Sequence, residues 1–253
     1  MHNQLKLKYD FEFDCLEIEN FHNSKKIQFY FDFIKKNNNK FKGDIYEFGV
    51  FRGKSLLSTA LLLKKIKSKK IIYGFDSFEG FPSYHKYDDL KYFSQLYKNK
   101  KISKEHYNLV HQSKVIKKIF FKKKISIKNI SFSENFSNTS YNELRRKIKI
   151  LKLDNIILIK GDFKKTIPKF FKKNKKIFAA NIDCDLYEGY KTILPHLWQN
   201  LENKGIVYLD EYYSLKFPGA RIACDEFFKE KKFKFIKKKY QGSNFERCYI
   251  EKL

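Results

Sequence analysis

Apolar residues along the chain form short continuous runs that alternate with helix-like spacings, which is typical of an α/β protein. Aromatic and β-branched residues from Asp44 to Val50 predict a first strand. Glycines 49 and 53 follow, and from Lys54 to about Lys67 apolar residues recur at helical spacing. Since glycines let a ligand approach the backbone and a helix begins with free N–H groups, this βα unit predicts a nucleotide-binding sheet.

The same pattern recurs along the rest of the chain. Further strands are predicted at residues 71–75, 153–160, 176–185, 205–211, 232–238 and 246–252. Helices are predicted at residues 25–36, 141–151, 187–201 and 220–229, with another starting or capped at Thr166 to Pro168 and an interruption at Pro195. The last two strands are predicted to form an antiparallel pair at one sheet edge. We therefore expect a mostly parallel, seven-stranded sheet with an antiparallel edge strand and helices on both faces.

Two segments lie outside this core pattern. Residues 1–42 are predicted to be a helical extension that packs on the sheet, forms a lid or contributes to a homo-oligomer, and residues 43–253 form the main domain. Residues 86–135 are long, polar and weakly patterned, which indicates an insertion that covers or selects a substrate. The roles of His85, His106 and His111 stay open, although surface or structural positions are the more common outcome.

Charge and cysteine content narrow the functional classes. The formal net charge of +26 suggests an anionic partner. The lysines are spread over the whole chain, however, and arginine, the better phosphate reader, occurs only five times, so nucleic acid is not the favoured partner. The four cysteines form no CxxC pair, the chain has no membrane-length apolar run, and its first residues lack a secretory signal. These features predict a cytoplasmic protein.

Residues at the ends of the first three strands suggest what the sheet binds. The turn after the first strand lacks the dinucleotide fingerprint and contains Glu47, Gly49 and Gly53 in the order acid-x-Gly-x-x-x-Gly, a first motif usual in S-adenosylmethionine (SAM) methyltransferases. Asp76 ends the second strand, where a carboxylate accepts hydrogen bonds from two ribose hydroxyls. Asp162, or Phe163 beside it, falls where an adenine edge is held. An ordinary βα turn and a turn-forming aspartate are the alternatives.

Four carboxylates follow the fourth and fifth strands, namely Asp183, Asp185, Asp210 and Glu211. Like charges so placed repel unless a cation or proton lies between them. Oxygen ligands without histidine or cysteine suit Mg²⁺, so Asp183, Asp210 and Glu211 are predicted as metal ligands. Asp183 and Asp185 are the predicted catalytic residues; Asp185 would accept a proton or bond neighbouring backbone. The alternative is that these acids cap the following helices.

Five segments, taken in order, resemble the macrocin O-methyltransferase family: GDIYEFGVFRGKS, YGFDSFEGFP, GDFKKTIP, NIDCDLYEGYKTILPHL and GIVYLDEYYSLKFPGARIACDEFF. The resemblance implies a Rossmann-like class I fold that uses SAM and Mg²⁺. It places Glu47, Gly49, Gly53 and Ser55 around SAM, Asp76 on its ribose, Ser77 and Phe78 beside it, and Asp162 and Phe163 near its adenine. Asp183, Asp210 and Glu211 would hold the metal, although Glu211 stands where the family usually has aspartate.

The resemblance implies methyl transfer to a sugar hydroxyl, in a glycan, a nucleotide-sugar or a glycosylated natural product. Two alternatives stay open at this point. An RNA methyltransferase is favoured by the net charge and predicts salt-dependent RNA binding. A non-catalytic SAM-fold or nucleic-acid-binding protein is the other alternative, and the acidic residues at the strand ends argue against it, since a scaffold has no need of repelling carboxylates.

Overall fold

A computed structural model describes residues 6–172, 175–240 and 246–253, so residues 1–5 of the predicted extension lie outside the described part. Its strands form one seven-stranded sheet in the order β3-β2-β1-β4-β5-β7-β6. They are β1 Asp44–Phe48, β2 Ile72–Asp76, β3 Ile156–Lys160, β4 Ile177–Ile182, β5 Leu201–Leu209, β6 Phe233–Lys238 and β7 Arg247–Lys252. Strands β1 to β5 are parallel, whereas β7 runs antiparallel to both β5 and β6. The predicted sheet is confirmed, with the antiparallel strand one position in from the edge.

Helices cover both faces of this sheet. They are α1 Asp10–Leu16, α2 Gln28–Asn37, α3 Lys54–Lys65, α4 Tyr92–Lys98, α5 Lys104–Phe121, α6 Tyr141–Ile150, α7 Phe163–Phe170, α8 Tyr187–Asn200 and α9 Gly219–Phe228, with 3₁₀ turns at Lys86–Asp88 and Asp210–Tyr213. Residues of α1, α2, α3 and α6 share one hydrophobic core, and α7, α8 and α9 share a second. The N-terminal extension therefore contributes to the main core, through residues such as Phe13, Tyr30 and Ile34.

Several predicted elements were wrong in detail: α2 begins at Gln28 rather than at residue 25, β3 begins at Ile156 rather than at residue 153, and β4 ends at Ile182 rather than at residue 185. Helix α7 begins at Phe163, before Thr166, because the Asp162 side chain accepts the Lys164 N–H (2.8 Å) and caps the helix there. Helix α8 continues through Pro195 to Asn200 without interruption. Strand β5 begins directly afterwards at Leu201 rather than at Gly205.

The 86–135 region contains a long helix that the sequence pattern did not predict. Helix α5 spans 18 residues. Its apolar residues lie on two opposite sides, since Val110 is buried and Ile119 is 71% exposed. A helix of this kind shows no single apolar face, and its periodicity in the sequence is therefore weak.

Candidate active site

A cavity of about 380 Å³ opens at the carboxyl ends of β1 and β4. The strand order reverses between these two neighbours, and ligands of open α/β sheets bind at such a reversal. Its lining includes Gly49 and Ser55 on one side, Asp162 near β3, and Asp183 after β4. The sheet therefore brings most of the predicted cofactor residues and part of the predicted acidic cluster into one cavity.

Asp76 organises the turn between β1 and α3. Its Oδ2 accepts the N–H groups of Val50 and Phe51 (2.8 Å each), and its Oδ1 accepts the N–H of Phe78 (2.7 Å). A carboxylate has about four acceptor sites, so three backbone bonds leave limited capacity for ribose hydroxyls. The predicted ribose role stays a prediction, and the structure adds a backbone-anchoring role that the sequence did not reveal.

Glu47 is completely buried, and its Oε1 accepts the Ser55 hydroxyl at 2.8 Å. Its other oxygen, Oε2, has no hydrogen-bond partner among the described residues. Burial raises the pKa of Glu47 to about 7, although the Ser55 and Asn181 side chains oppose that shift. At neutral pH the Glu47 carboxyl group is therefore close to half-ionised.

This pKa makes stability depend on pH. The folded state holds the Glu47 proton more tightly than the unfolded state does. Proton binding at Glu47 therefore contributes fully to the free energy of unfolding below about pH 4.5, and this contribution is lost as the pH rises to about 7. We expect the Glu47→Gln protein to gain about 2–3 kcal/mol relative to wild type between pH 4.5 and 7.5. Urea unfolding across that range measures the difference. A difference that stays constant with pH would show that Glu47 is not protonated in the fold.

Gly49, in the turn after β1, lies in close backbone contact with Asp183, which follows β4. Gly49 has a φ of +89°, and its N–H donates to the Phe75 carbonyl at 2.9 Å. A Cβ at Gly49 would lie 1.9 Å from the carbonyl oxygen of Asp183. The glycine turn and the residue that follows β4 are thus in direct backbone contact, which only glycine permits at this φ.

Three carboxylates form a compact cluster at the far side of the cavity. One oxygen from each of Asp183, Asp185 and Glu211 lies within 4.8 Å of the other two. Burial raises the pKa of Asp185 to about 7, against the effect of Lys216, and burial together with the neighbouring Asp210 raises the pKa of Asp183. Glu211 Oε2 is buried without a hydrogen-bond partner in the described part of the chain.

Two lysines bind this cluster. Lys26 Nζ lies 2.8 Å from Asp210 Oδ2 and 3.5 Å from Asp183 Oδ2. Lys216 Nζ lies 2.8 Å from Asp185 Oδ1 and 3.2 Å from Glu211 Oε1. Burial opposes the ionisation of Asp210, but Lys26 helps to hold the pKa of Asp210 below its usual range. The two ammonium groups therefore offset part of the negative charge of these carboxylates.

The predicted site residues divide into two groups. Those that line the cavity are Gly49, Ser55, Asp76, Ser77, Asp162, Phe163, Asp183 and Asp185. Those that lie behind or beside it are Glu47, Gly53, Phe78, Asp210 and Glu211. Phe78 is buried in the core that contains α3, where it packs against Tyr141 with ring centroids 5.3 Å apart. Asp210 also accepts a hydrogen bond from the Tyr208 hydroxyl.

Sequence reasoning missed several residues at the cavity. Lys26, Asn181 and Tyr208 line it, and the Asn181 Oδ1 is buried without a hydrogen-bond partner among the described residues. Lys26 and Lys216 could not be recognised as site residues from the sequence, because lysine is abundant throughout the chain. Asn181 could have been found, since it is a polar residue inside an otherwise apolar strand.

The three histidines that were left open make structural contacts. His106 is buried and its Nε2 lies 3.1 Å from the Ser214 carbonyl oxygen. His85 stacks on Tyr187 at 4.4 Å between centroids, and its Nδ1 accepts the Tyr87 N–H. His111 is exposed and contacts the ring of Tyr107 edge-on. Burial lowers the pKa of His106, which favours its neutral form.

A comparison with protein families gives a match that is consistent with the cavity, the sheet order and the acidic residues at the strand ends. The model of the family described as Macrocin-O-methyltransferase (TylF) matches residues 25–155 and 122–238. The chain belongs to the macrocin-O-methyltransferase family. It is therefore a SAM-dependent O-methyltransferase, and the cavity is the candidate active site of this macrocin-O-methyltransferase family member.

Solved structures share the fold. CalS11, a calicheamicin methyltransferase, superposes with a TM-score of 0.59 at 19% identity, covering 89% of this chain and 76% of that one. The O-methyltransferase NovP gives 0.57 at 18% identity, with 87% and 78% covered. An apo structure of CalS11, described as a TDP-rhamnose 3′-O-methyltransferase, gives 0.51 at 20% identity, with 96% and 80% covered. No curated protein sequence matches the chain significantly.

Among the described residues, every helix is too short or too polar to cross a bilayer.

Proposed function

We propose that this enzyme methylates a sugar hydroxyl, in a glycan, a nucleotide-sugar or a glycosylated natural product. The observation that carries the proposal is the backbone contact between Gly49 and Asp183, which sets a cofactor turn directly against a carboxylate cluster. The family match and the sugar methyltransferase named among the fold neighbours support the same acceptor class. A donor and an acceptor held side by side react as if the step were unimolecular.

The cofactor side of the cavity offers groups for each part of SAM. We assign the ribose to Asp76, the adenine edge to Asp162 and Phe163, and the methionine end to the region of Ser55 and Asn181. Asn181 Oδ1 is a buried acceptor without a partner among the described residues, and an ammonium group would satisfy it. Glu47, Gly49, Gly53, Ser77 and Phe78 would shape this side from the turn and from behind it.

The reaction is a direct displacement. The acceptor oxygen attacks the methyl carbon of SAM, the carbon–sulfur bond breaks, and the sulfur keeps the electron pair as the neutral thioether. The acceptor hydroxyl must also lose its proton. We propose that Asp185 accepts it, because Asp185 lines the cavity and burial raises its pKa to about 7, which suits a general base at neutral pH.

The carboxylate cluster fits a divalent cation. Its donors are all oxygens, and Glu211 Oε2 is a buried atom that no described residue satisfies. We propose Asp183 and Glu211 as ligands, and Asp210 would join them if Lys26 released it. A bound Mg²⁺ would supply positive charge that lowers the pKa of a nearby hydroxyl.

Lys216 contacts two of the carboxylates in the cluster that would hold that cation. Its ammonium bridges Asp185 and Glu211, so metal binding has to displace it. We expect Lys216→Met to bind Mn²⁺ about tenfold more tightly, because a competing charge is removed and the carboxylates stay. Isothermal titration with Mn²⁺ measures this. Lys147→Met, which removes a lysine paired with Glu17 at 2.9 Å, is the matched control. Equal or weaker affinity in Lys216→Met would argue against metal binding at this cluster.

Labelled methyl transfer tests the acceptor class. Wild-type enzyme with labelled SAM should modify at least one member of a panel of nucleotide-sugars and glycosides, and EDTA should suppress the reaction. An RNA substrate included in the same panel should stay unlabelled. Labelled RNA with unlabelled sugars would instead support the RNA methyltransferase alternative.

The cellular location of the enzyme is also a proposal. The cysteines are unpaired, and Cys184, Cys224 and Cys248 are buried, as expected of a reducing compartment. We therefore propose a cytoplasmic location. A homo-oligomer stays a prediction.

A further inference from the structure

The outer side of α5 carries a continuous apolar surface. Val115, Ile116, Ile119 and Phe120 are 55–71% exposed, and their spacing places them on one side of the helix. Phe132, 66% exposed, extends this surface and lies 5.6 Å from Phe120 between ring centroids. We call these five residues the α5 stripe.

The α5 stripe is not a by-product of packing. The opposite side of the helix packs against the protein through the buried residues His106 and Val110. Lys117 is on the less exposed side, where its Nζ donates to the Ile130 carbonyl at 2.5 Å. The C-terminal half of α5 thus has a lysine turned inward and large apolar groups turned outward. Contiguous exposed apolar surfaces of this kind mark interaction sites.

The charge around the α5 stripe has one sign. Residues 106–133 contain no aspartate or glutamate. The segment has seven lysines, of which all but Lys117 are exposed: Lys114, Lys117, Lys118, Lys122, Lys123, Lys124 and Lys128. A second copy of the chain docked on the stripe would bring these like charges together, and each copy carries a net charge of +26. Charge complementarity therefore favours an anionic partner.

We propose that the α5 stripe binds the surface of an anionic lipid bilayer. Helices with lysines on one side and Phe and aliphatic residues on the other lie in the bilayer interface, with the apolar side chains below the headgroups. The surrounding lysines add an attraction to anionic lipids that decays within a Debye length. The stripe is linear and lacks charged residues within it, which suits a fluid surface.

This contact has a consequence for the cavity. Phe121, at the end of α5, and the buried Ile125 and Ile130 pack with Phe81 and Leu186. Phe81 and Leu186 also line the cavity. The segment proposed to contact lipid is therefore continuous with residues that pack against the cavity lining. The inference does not depend on which acceptor the enzyme uses.

Vesicle co-sedimentation of the full chain tests the proposal. Wild type should bind equimolar phosphatidylglycerol–phosphatidylcholine vesicles, bind phosphatidylcholine vesicles at least tenfold more weakly, and lose binding as salt is raised. The double variant Ile119→Ser, Phe120→Ser should bind the anionic vesicles at least about tenfold more weakly, equal to about 1.4 kcal/mol. Ile150→Ser, which changes an isoleucine that is 67% exposed elsewhere, should bind like wild type.

A second variant separates charge from apolar contact. Lys118→Gln, Lys122→Gln, Lys123→Gln should weaken binding to anionic vesicles, whereas Lys229→Gln, Lys231→Gln, Lys232→Gln, with the same loss of charge at other exposed positions, should not. Thermal unfolding confirms that each variant is folded. The proposal is overturned if wild type does not bind anionic vesicles, if both lysine variants weaken binding equally, or if sedimentation shows a wild-type dimer that Ile119→Ser, Phe120→Ser abolishes.

Discussion

Asp183→Asn is expected to lower the rate of methyl transfer by about 10²–10³-fold while SAM still binds. Asp183 lies at the contact between the cofactor turn and the carboxylate cluster, with its Oδ2 3.5 Å from Lys26 Nζ. Asparagine keeps the size of the side chain and removes its charge. The variant therefore loses the electrostatic field at the acceptor oxygen and a proposed metal ligand, while the β1–α3 turn keeps its shape.

The measurement compares turnover and SAM affinity in the same preparation. Asp154→Asn removes an exposed aspartate outside the cavity and should keep wild-type turnover. Activity that remains in Asp183→Asn should no longer respond to EDTA. Wild-type turnover in Asp183→Asn would remove this carboxylate from the mechanism, and loss of SAM binding would place it on the cofactor side.

Gly49→Ala is expected to destabilise the fold by at least about 3 kcal/mol. Two effects act together at this residue. Its φ of +89° is unfavourable for alanine, and the added Cβ would meet the Asp183 carbonyl oxygen at 1.9 Å. Backbone atoms of two buried strand ends cannot move apart without disturbing the β1–β4 pairing.

Chemical denaturation measures that cost. Gly74→Ala is the matched control, because Gly74 lies in β2 without a positive φ and the three atoms nearest its added Cβ are side-chain methyl groups of Leu56, Val50 and Leu158. Those methyl groups can shift, so a smaller loss is expected. If Gly49→Ala is no less stable than Gly74→Ala, the close contact between the cofactor turn and the carboxylate side does not exist as described.

The sequence predicted the sheet and the position of the cavity for a clear physical reason. Parallel strands end at one edge, so Gly49, Asp76, Asp162 and Asp183 had to meet there once the strands were recognised. Glycine and aspartate also perform local tasks that leave a signal, such as the Asp162 cap of α7. Most predicted residues that line the cavity lie at or shortly after a strand end, whereas Ser55 lies in the first turn of α3.

Other features depend on contacts between segments distant in sequence. Lys26 and Lys216 reach the carboxylates from the N-terminal extension and from the loop before α9, and nothing in a lysine-rich chain distinguishes them. Asp76 bonds the backbone of the β1–α3 turn, a role that depends on how close two loops lie. Helix α5 was missed because its apolar residues face both the protein and the solvent.

Titration of SAM into the wild-type protein, with and without Mg²⁺, tests the central claim most directly. The cavity has the β1–α3 turn, our proposed SAM site, on one side and the carboxylate cluster on the other, so the proposed metal would lie on the acceptor side. We predict one SAM bound per chain with similar affinity in both titrations. No saturable binding, or binding only when Mg²⁺ is present, would contradict a SAM site built by the β1–α3 turn and separate from the metal.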